Sequence, residues 1–453
     1  MKKIVTMLLV VVMVLGLAAC GSKTTTETKA PTEAKVDTPA TEAKTDAPAA
    51  AGSVYYLNFK PEFDQALQGL AASYTEKTGV PVKVVTAASG DYSNTLNAQM
   101  GKDGAPTIYN IGNMSGLKDW DEYALDLTGT ALAGELATND FNLYNEAGEL
   151  KAMGYCYESF GIIVNTKLLA DAGHSLDEIK DFASLKAVAD DIHARAAELG
   201  FDAFSSAGLD GSSSWRFSGH LANMPLYYEF RDDGVKEQPA EIKGTYLDNF
   251  RNIWDLYITD SAADPTALST ATGDQSEAEF GEGKAVFYQN GTWEYAALTA
   301  DKFNLNPDEI AMIPIYCGVD GEEKAGLCSG TENCWAINSQ AKEEDIQASL
   351  DFLYWLVTDP DASAVLVEQL GAVPFKNCPA SANKFIVDGN ALLADGKYAV
   401  TWAFNYTPNV DSWRATVVTA LAAYSADPTD ANWEAVKTAF VDGWAIEYKT
   451  VNG

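Results

Sequence analysis

The most informative residues stand between Glu277 and Glu294, in the run Glu-Ala-Glu-Phe-Gly-Glu-Gly-Lys-Ala-Val-Phe-Tyr-Gln-Asn-Gly-Thr-Trp-Glu. Gly281 and Gly283 end a short helix, where a positive φ calls for glycine. Ala285 to Gln289 reads as a strand, Asn290-Gly291 turns the chain, and a helix begins near Thr292. In open α/β sheets, ligands lie at the C-terminal ends of strands. Trp293 therefore stands where a ligand would lie, between Asn290 and Glu294. Two further tryptophans share this promise. Trp215 and Arg216 close a Gly/Ser-rich loop at 210–216, where a core position is unexpected. Trp402 opens Trp-Ala-Phe-Asn-Tyr, which also offers Asn405. Trp254 and Trp355, at helical spacing among apolar neighbours, read as core. Trp433 and Trp444 read as packing of the terminal helices, and Trp335 admits either role.

Carboxylates offer a second chemistry. Glu158 with Glu294, or Asp91 with Glu158, would give the acid and nucleophile of a glycosidase if they faced each other across a cleft. No hydrolase signature accompanies them. The three histidines, His174, His193 and His220, share no metal-ligand spacing, and there is no Cys-x-x-Cys. A His-dependent metal site and a Ser-His-Asp triad are both disfavoured. No cofactor is implied. With 64 acidic and 31 basic residues, the formal charge of −33 disfavours a nucleic-acid binder, which needs a basic face. Five cysteines follow Cys20; Cys317 and Cys328 flank an expected hairpin turn at Asp320-Gly321 and either pair or remain buried thiols.

Elements that position these residues follow from periodicity. Residues 54–59 form an apolar, aromatic strand-like run, and Pro61 starts a helix whose Phe63, Leu67, Leu70 and Tyr74 share one face. A strand at 80–87, a helix around 92–100 and a strand at 107–112 complete a strand–helix alternation, which predicts parallel strands covered by helices. Helices are expected near 166–173, 184–199, 246–259, 343–357, 360–370, 411–424 and 430–449. With 453 residues, the chain exceeds one ordinary domain of about 150 residues, and two large α/β lobes fit it.

The chain opens on Lys2-Lys3, then an uncharged apolar run from Ile4 to Ala19, ending in Leu-Ala-Ala-Cys-Gly at Cys20. The run is short for a membrane span and suits a signal-peptide core. Residues 21–53 hold no aromatic residue, four Lys and five acids in alternation. They read as a disordered tether, with an r.m.s. span of roughly 30 Å.

Several of these segments together resemble one family. Small residues before Cys20 resemble the lipobox of bacterial lipoproteins, in which the peptide is cut before a cysteine that receives a diacylglycerol thioether and usually a further acyl chain. The run ending at Trp293 resembles the F-x-x-G-K-A-A-x-x-x-x-G-x-W signature of carbohydrate-binding proteins of bacterial ABC importers, the family of the maltodextrin-binding protein. Tyr157-Glu158 to Leu169 is similar to that family's first crossing between lobes, with Val164 where tyrosine is usual. Residues 103–108 resemble its G-x-x-P-D-I/V, with Thr107 for Asp, and the loop that follows brings Asn113 towards the cleft. Residues 352–360 and 371–374 resemble its late helix and second crossing.

The resemblance implies a two-lobed periplasmic-binding-protein-like fold, each lobe a doubly wound sheet with flanking helices and the ligand cleft between them. It divides the chain into a lipoprotein signal peptide (1–19), a lipidated Cys20 with tether (20–53), one lobe from 54–160 plus 328–376, and another from 161–327 plus 377–453. It implies a lipid-anchored solute-binding protein on the outer face of the cell membrane. That protein captures a mono- or oligosaccharide by hinge closure and delivers it, as a monomer, to importer permease subunits. The expected contacts are Trp293, Glu158, Trp215, Asn113, Asp91, Tyr157, Arg216, Asn290, Glu294, Trp402 and Asn405. Their types suit a sugar: aromatic rings cover the C–H faces and polar groups read the hydroxyl rim. Another small solute, such as a polyol or a peptide, and a cell-surface glycan-degrading hydrolase are the alternatives.

Overall fold

In the computed structural model, residues 52–87, 89–205 and 208–453 are described. The signal-peptide, Cys20 and tether readings lie outside them, apart from the last residues of the tether. Among the described residues twelve strands form two six-stranded sheets. They are β1 (Val54–Asn58), β2 (Val82–Thr86), β3 (Ile108–Ile111), β4 (Leu143–Tyr144), β5 (Leu150–Gly154), β6 (Glu158–Asn165), β7 (Asp202–Phe204), β8 (Ala285–Gly291), β9 (Ile310–Ile313), β10 (Ala325–Gly330), β11 (Cys334–Ile337) and β12 (Tyr398–Thr401).

The first sheet runs β2-β1-β3-β11-β5-β4 and the second β12-β10-β6-β8-β7, with β9 also on β6. Each sheet is the floor of one lobe. Parallel pairing holds for β2-β1-β3, as the strand–helix alternation predicts. Elsewhere β11 runs antiparallel to β3 and β5, and β8, β9 and β10 run antiparallel to β6. The lobes are therefore mixed rather than wholly parallel, because the chain leaves and re-enters each sheet at the same end.

Both faces of both sheets are covered, which is why β6 is buried along its whole length. Along β6, Ile162 and Val164 join one core cluster and Ile163 another, the period-2 alternation of a strand between two layers. In β1, Tyr56 and Leu57 divide the same way. Burying each such side chain contributes about 1.5–3 kcal/mol. The helix Asp64–Thr78 buries Leu67, Leu70 and Tyr74 and ends at Gly79, whose φ of 76° lets its N–H reach Thr75.

The helices Glu343–Thr358 and Pro360–Leu370 pack on the first sheet's core, and Val410–Ala426 and Asp430–Asn452 on the second's. The chain passes between sheets at 155–157, at 331–333, and after Phe375, before the helix Lys384–Ala394 that packs on β9 and β10. β10 runs in the second sheet to Gly330, so the second passage follows residue 330 rather than preceding 328. Cys317 and Cys328 are buried, unpaired thiols; β9 and β10 do not form a hairpin, since both lie end to end along one edge of β6. Trp335 is core, stacked on Tyr155 and donating to the Tyr56 hydroxyl at 2.6 Å.

Candidate ligand-binding site

The last residues of β8 lie beside the first of β6: Gly291 is opposite Phe160, and Thr292 donates to the Ser159 carbonyl at 2.8 Å. Because β6 begins where the chain crosses between sheets, this register delivers Trp293 to the inter-lobe edge of the second lobe. Its ring folds back over Gly291, where a Cβ would sit 2.2 Å from the indole, so glycine is what permits this pose.

Trp215 lies against it, ring centroids 5.9 Å apart and planes tilted by 55°. The Trp215 indole nitrogen donates to the Ser212 carbonyl at 2.9 Å, and a π-helix follows over Arg216–Leu221. The wide turn places His220 beneath both indoles, 5.0 Å from Trp215 and 5.4 Å from Trp293. His220 is buried, stacks on Phe160 at 3.9 Å and accepts from the Gln289 side chain at 3.2 Å. Burial, with Arg414 and Arg216 nearby, holds its imidazole well below the usual range, so it is a neutral ring. Two half-buried indoles thus stand on a rigid aromatic base.

Glu294 follows Trp293 in the first turn of the helix Glu294–Thr299. Burial, reinforced by Glu277, pushes its carboxyl up to about 8. A carboxylic acid in that state donates as well as accepts. Asn290 is buried and donates to Glu294 Oε1 at 2.8 Å and to the Tyr288 hydroxyl at 2.7 Å. It therefore holds Glu294 in place.

Three other expected contacts are likewise engaged by partners within the protein. Glu158 is 5% exposed, its Oε1 2.6 Å from Lys60 Nζ and its Oε2 accepting from Asn333 at 2.7 Å. It is one half of a buried ion pair at the crossing. Arg216 is buried and donates to the Gln289 carbonyl, Ser213 Oγ and Ser276 Oγ, tying the π-helix to β8. Trp402 is 7% exposed, stacked on Phe160 and donating to the Cys328 carbonyl at 3.0 Å. It supports the aromatic base from within.

The remaining candidates ring the crossings. Tyr157 is half-buried with its ring stacked on Phe141 at 4.9 Å. Asn113 caps the helix Met114–Trp120 by accepting from Gly116 at 2.9 Å. Asp91 is exposed in the first turn of the helix Ser89–Met100; two residues on, Ser93 donates across the lobes to Asp411 at 3.2 Å. Asn405 is half-buried and donates to the Thr331 carbonyl at 3.1 Å.

Sequence reading passed over Lys60, His220, Glu332, Phe404 and Arg414. A π-helix has no periodicity signal, and the partners of Lys60 and Arg414 are distant in sequence. Among the described residues no group of three or more His, Cys, Asp or Glu could hold a metal ion, and no helix is long and apolar enough to cross a membrane.

A model of the family described as bacterial extracellular solute-binding protein matches residues 69–391. No curated protein matches. Among solved structures, the solute-binding protein RafE in complex with raffinose is similar at 16% identity, over 88% of this chain and 99% of that one, with a TM-score of 0.70; RafE comes from Streptococcus pneumoniae. The GacH receptor of Streptomyces glaucescens, solved unliganded and with acarbose, is 19% identical over 88% and 99%, with a TM-score of 0.65. A sugar transporter from Bacillus licheniformis in complex with stachyose is 15% identical over 87% and 99%, with a TM-score of 0.64.

Proposed function

This chain belongs to the bacterial extracellular solute-binding proteins, and on that premise we propose that it captures a sugar or oligosaccharide between its two lobes for delivery to an ABC importer. The observation that carries the reading is the corner formed by Trp215 and Trp293, 5.9 Å apart and tilted by 55° at the inter-lobe end of β8. Flat indoles cover the apolar faces of pyranose rings, and a protonated Glu294 beside them supplies a donor for a hydroxyl. The sugars named with RafE, GacH and the Bacillus licheniformis protein support the same class.

Capture works by population shift. Ligand contacts from both lobes favour the closed arrangement, with the three crossings as hinges. The permease then recognises the closed monomer. Cys20 carries the lipid that holds the protein to the outer face of the cell membrane. One acyl chain alone anchors only marginally, so retention relies on two or more chains. Cys20→Ser is expected to release the protein or leave it unprocessed, read by fractionation.

The hydrolase alternative has no support in the family match, and Glu158, shared by both of its carboxylate pairs, is engaged by Lys60 and Asn333. A thermal-shift screen over a glycan panel tests the function. A true ligand at 100 times Kd adds about 2.7 kcal/mol of stability. Stabilisation by a polyol or peptide, with every glycan silent, overturns the sugar reading.

A further inference from the structure

Three buried polar atoms around the second crossing lack a hydrogen-bond partner among the described residues: Asn110 Oδ1, Asn405 Oδ1 and Arg414 Nε. The side chains that carry them all approach two consecutive residues, Thr331 and Glu332. Asn110, on β3 of the first lobe and 6% exposed, donates through Nδ2 to the Glu332 carbonyl at 2.9 Å. Asn405, of the second lobe, donates through Nδ2 to the Thr331 carbonyl at 3.1 Å. Those bonds fix both amides, so each Oδ1 is an acceptor. Arg414 lies with its guanidinium 5.0 Å over Phe404 and Nη2 3.9 Å from Glu332 Oε1, too long for a hydrogen bond. It packs against Gly219, where a Cβ would sit 2.8 Å from Nη2. Phe404 stacks on Trp402, Trp402 on Phe160 and Phe160 on His220, so this cluster ends the aromatic row that begins at Trp215 and Trp293.

We propose that Asn110, Asn405 and Arg414 form the polar end of the cleft, reading adjacent hydroxyls of an uncharged sugar and rejecting a uronate. The inference rests on the sugar-binding reading above. A hydroxyl accepts and donates at once. One hydroxyl accepts from Arg414 Nε and donates to one asparagine oxygen, and its neighbour donates to the other. All three atoms are then paired, from both lobes, only when the lobes meet around the ligand. A carboxylate satisfies Arg414 alone. It leaves two acceptors facing an anion, beside Glu332 and close to Asp411. An ammonium group satisfies the acceptors and opposes Arg414.

Calorimetry on wild type, Arg414→Met and Asn405→Ala tests this, using a neutral oligosaccharide found in the glycan screen and its counterpart carrying a uronic acid. Methionine keeps an unbranched stem over Phe404. Each variant is expected to lose roughly tenfold or more in affinity for the neutral sugar. The unliganded Tm of Arg414→Met should hold or rise, since an unpaired buried polar atom has been removed; Asn405→Ala also gives up its bond to the Thr331 carbonyl and is read on affinity alone. The uronate should bind wild type at least roughly tenfold more weakly, and Glu332→Gln should narrow that gap. A lower unliganded Tm with affinity within twofold would mean a structural water pairs these atoms, and overturns the proposal. Equal or tighter uronate binding also overturns it. If wild type binds no sugar at all, the functional reading falls first, before any variant is compared.

Discussion

Gly291 and Trp293 are placed so that one exists for the other. A Cβ at 291 would meet the Trp293 ring at 2.2–2.5 Å, against several atoms of a large, held side chain. No positive φ is involved, so the demand for glycine comes from the indole alone.

Gly291→Ala is therefore expected to push Trp293 off Gly291. Overpacking of this kind costs about 1–3 kcal/mol of stability. The functional signature is a loss of sugar affinity in calorimetry together with altered tryptophan fluorescence. Unchanged affinity with an unchanged spectrum would show that the ring does not need that pose.

The run 277–294 was readable because its cues are local: glycines at a helix end, an apolar strand, Asn-Gly, then tryptophan. The two lobes and most helices follow from periodicity in the same way. What sequence could not convey is pairing at distance. Glu158 meets Lys60, 98 residues earlier, and Asn333, 175 residues later. Nothing local marks a glutamate as half of a buried ion pair. Arg216 and Asn290 look like ligand-reading polar groups in sequence, and only the packing of the π-helix on β8 reveals that they are occupied.

The Lys60–Glu158 pair should act as an all-or-none structural element. Lys60→Met leaves Glu158 buried and unpaired, which costs about 3–5 kcal/mol. Adding Glu158→Leu to that variant should recover much of the loss, because both charges are then gone. Denaturant unfolding of the single and double variants measures the coupling. Additive losses would argue against a buried pair.

Glu294 predicts a pH dependence. Its carboxyl is raised to about 8 in the folded protein, above the ordinary glutamate value, by burial and Glu277. The contribution is then complete below about pH 4.5 and is lost as pH rises through about 8. Since the side chain is half-buried, solvent screening limits the loss to on the order of 1–3 kcal/mol. Comparison with Glu294→Gln isolates it: the difference in unfolding free energy should change between pH 5 and 9, and a flat difference would contradict the raised carboxyl.

The five cysteines beyond Cys20 predict redox indifference. Cys156, Cys317, Cys328 and Cys334 are buried thiols and Cys378 is half-buried. Burial pushes the Cys378 thiol up to about 11, so even the most accessible of them is a poor nucleophile at neutral pH. Reductant should leave Tm unchanged, and alkylation followed by mass spectrometry should label Cys378 slowly and the others only after unfolding. A Tm drop on reduction would reveal a disulfide.

Trp293 offers the sharpest test of where the ligand sits. The indole is half-buried, propped by Trp215 and His220 and resting on Gly291. As a stacking platform it contributes mainly when a sugar lies on it, so Trp293→Ala should cost a few kcal/mol of binding free energy through lost stacking and buried area. Unliganded stability should fall less, because part of the ring is already in contact with water. A core tryptophan behaves in the opposite way: truncation costs about 3–5 kcal/mol of stability and leaves the affinity of the folded molecules nearly intact. Trp254, fully buried under Phe217, is the control for that behaviour. Calorimetry of sugar binding beside denaturant unfolding of the two unliganded variants separates the cases. If Trp293→Ala unfolds as readily as Trp254→Ala and still binds sugar normally, the platform lies elsewhere along the aromatic row.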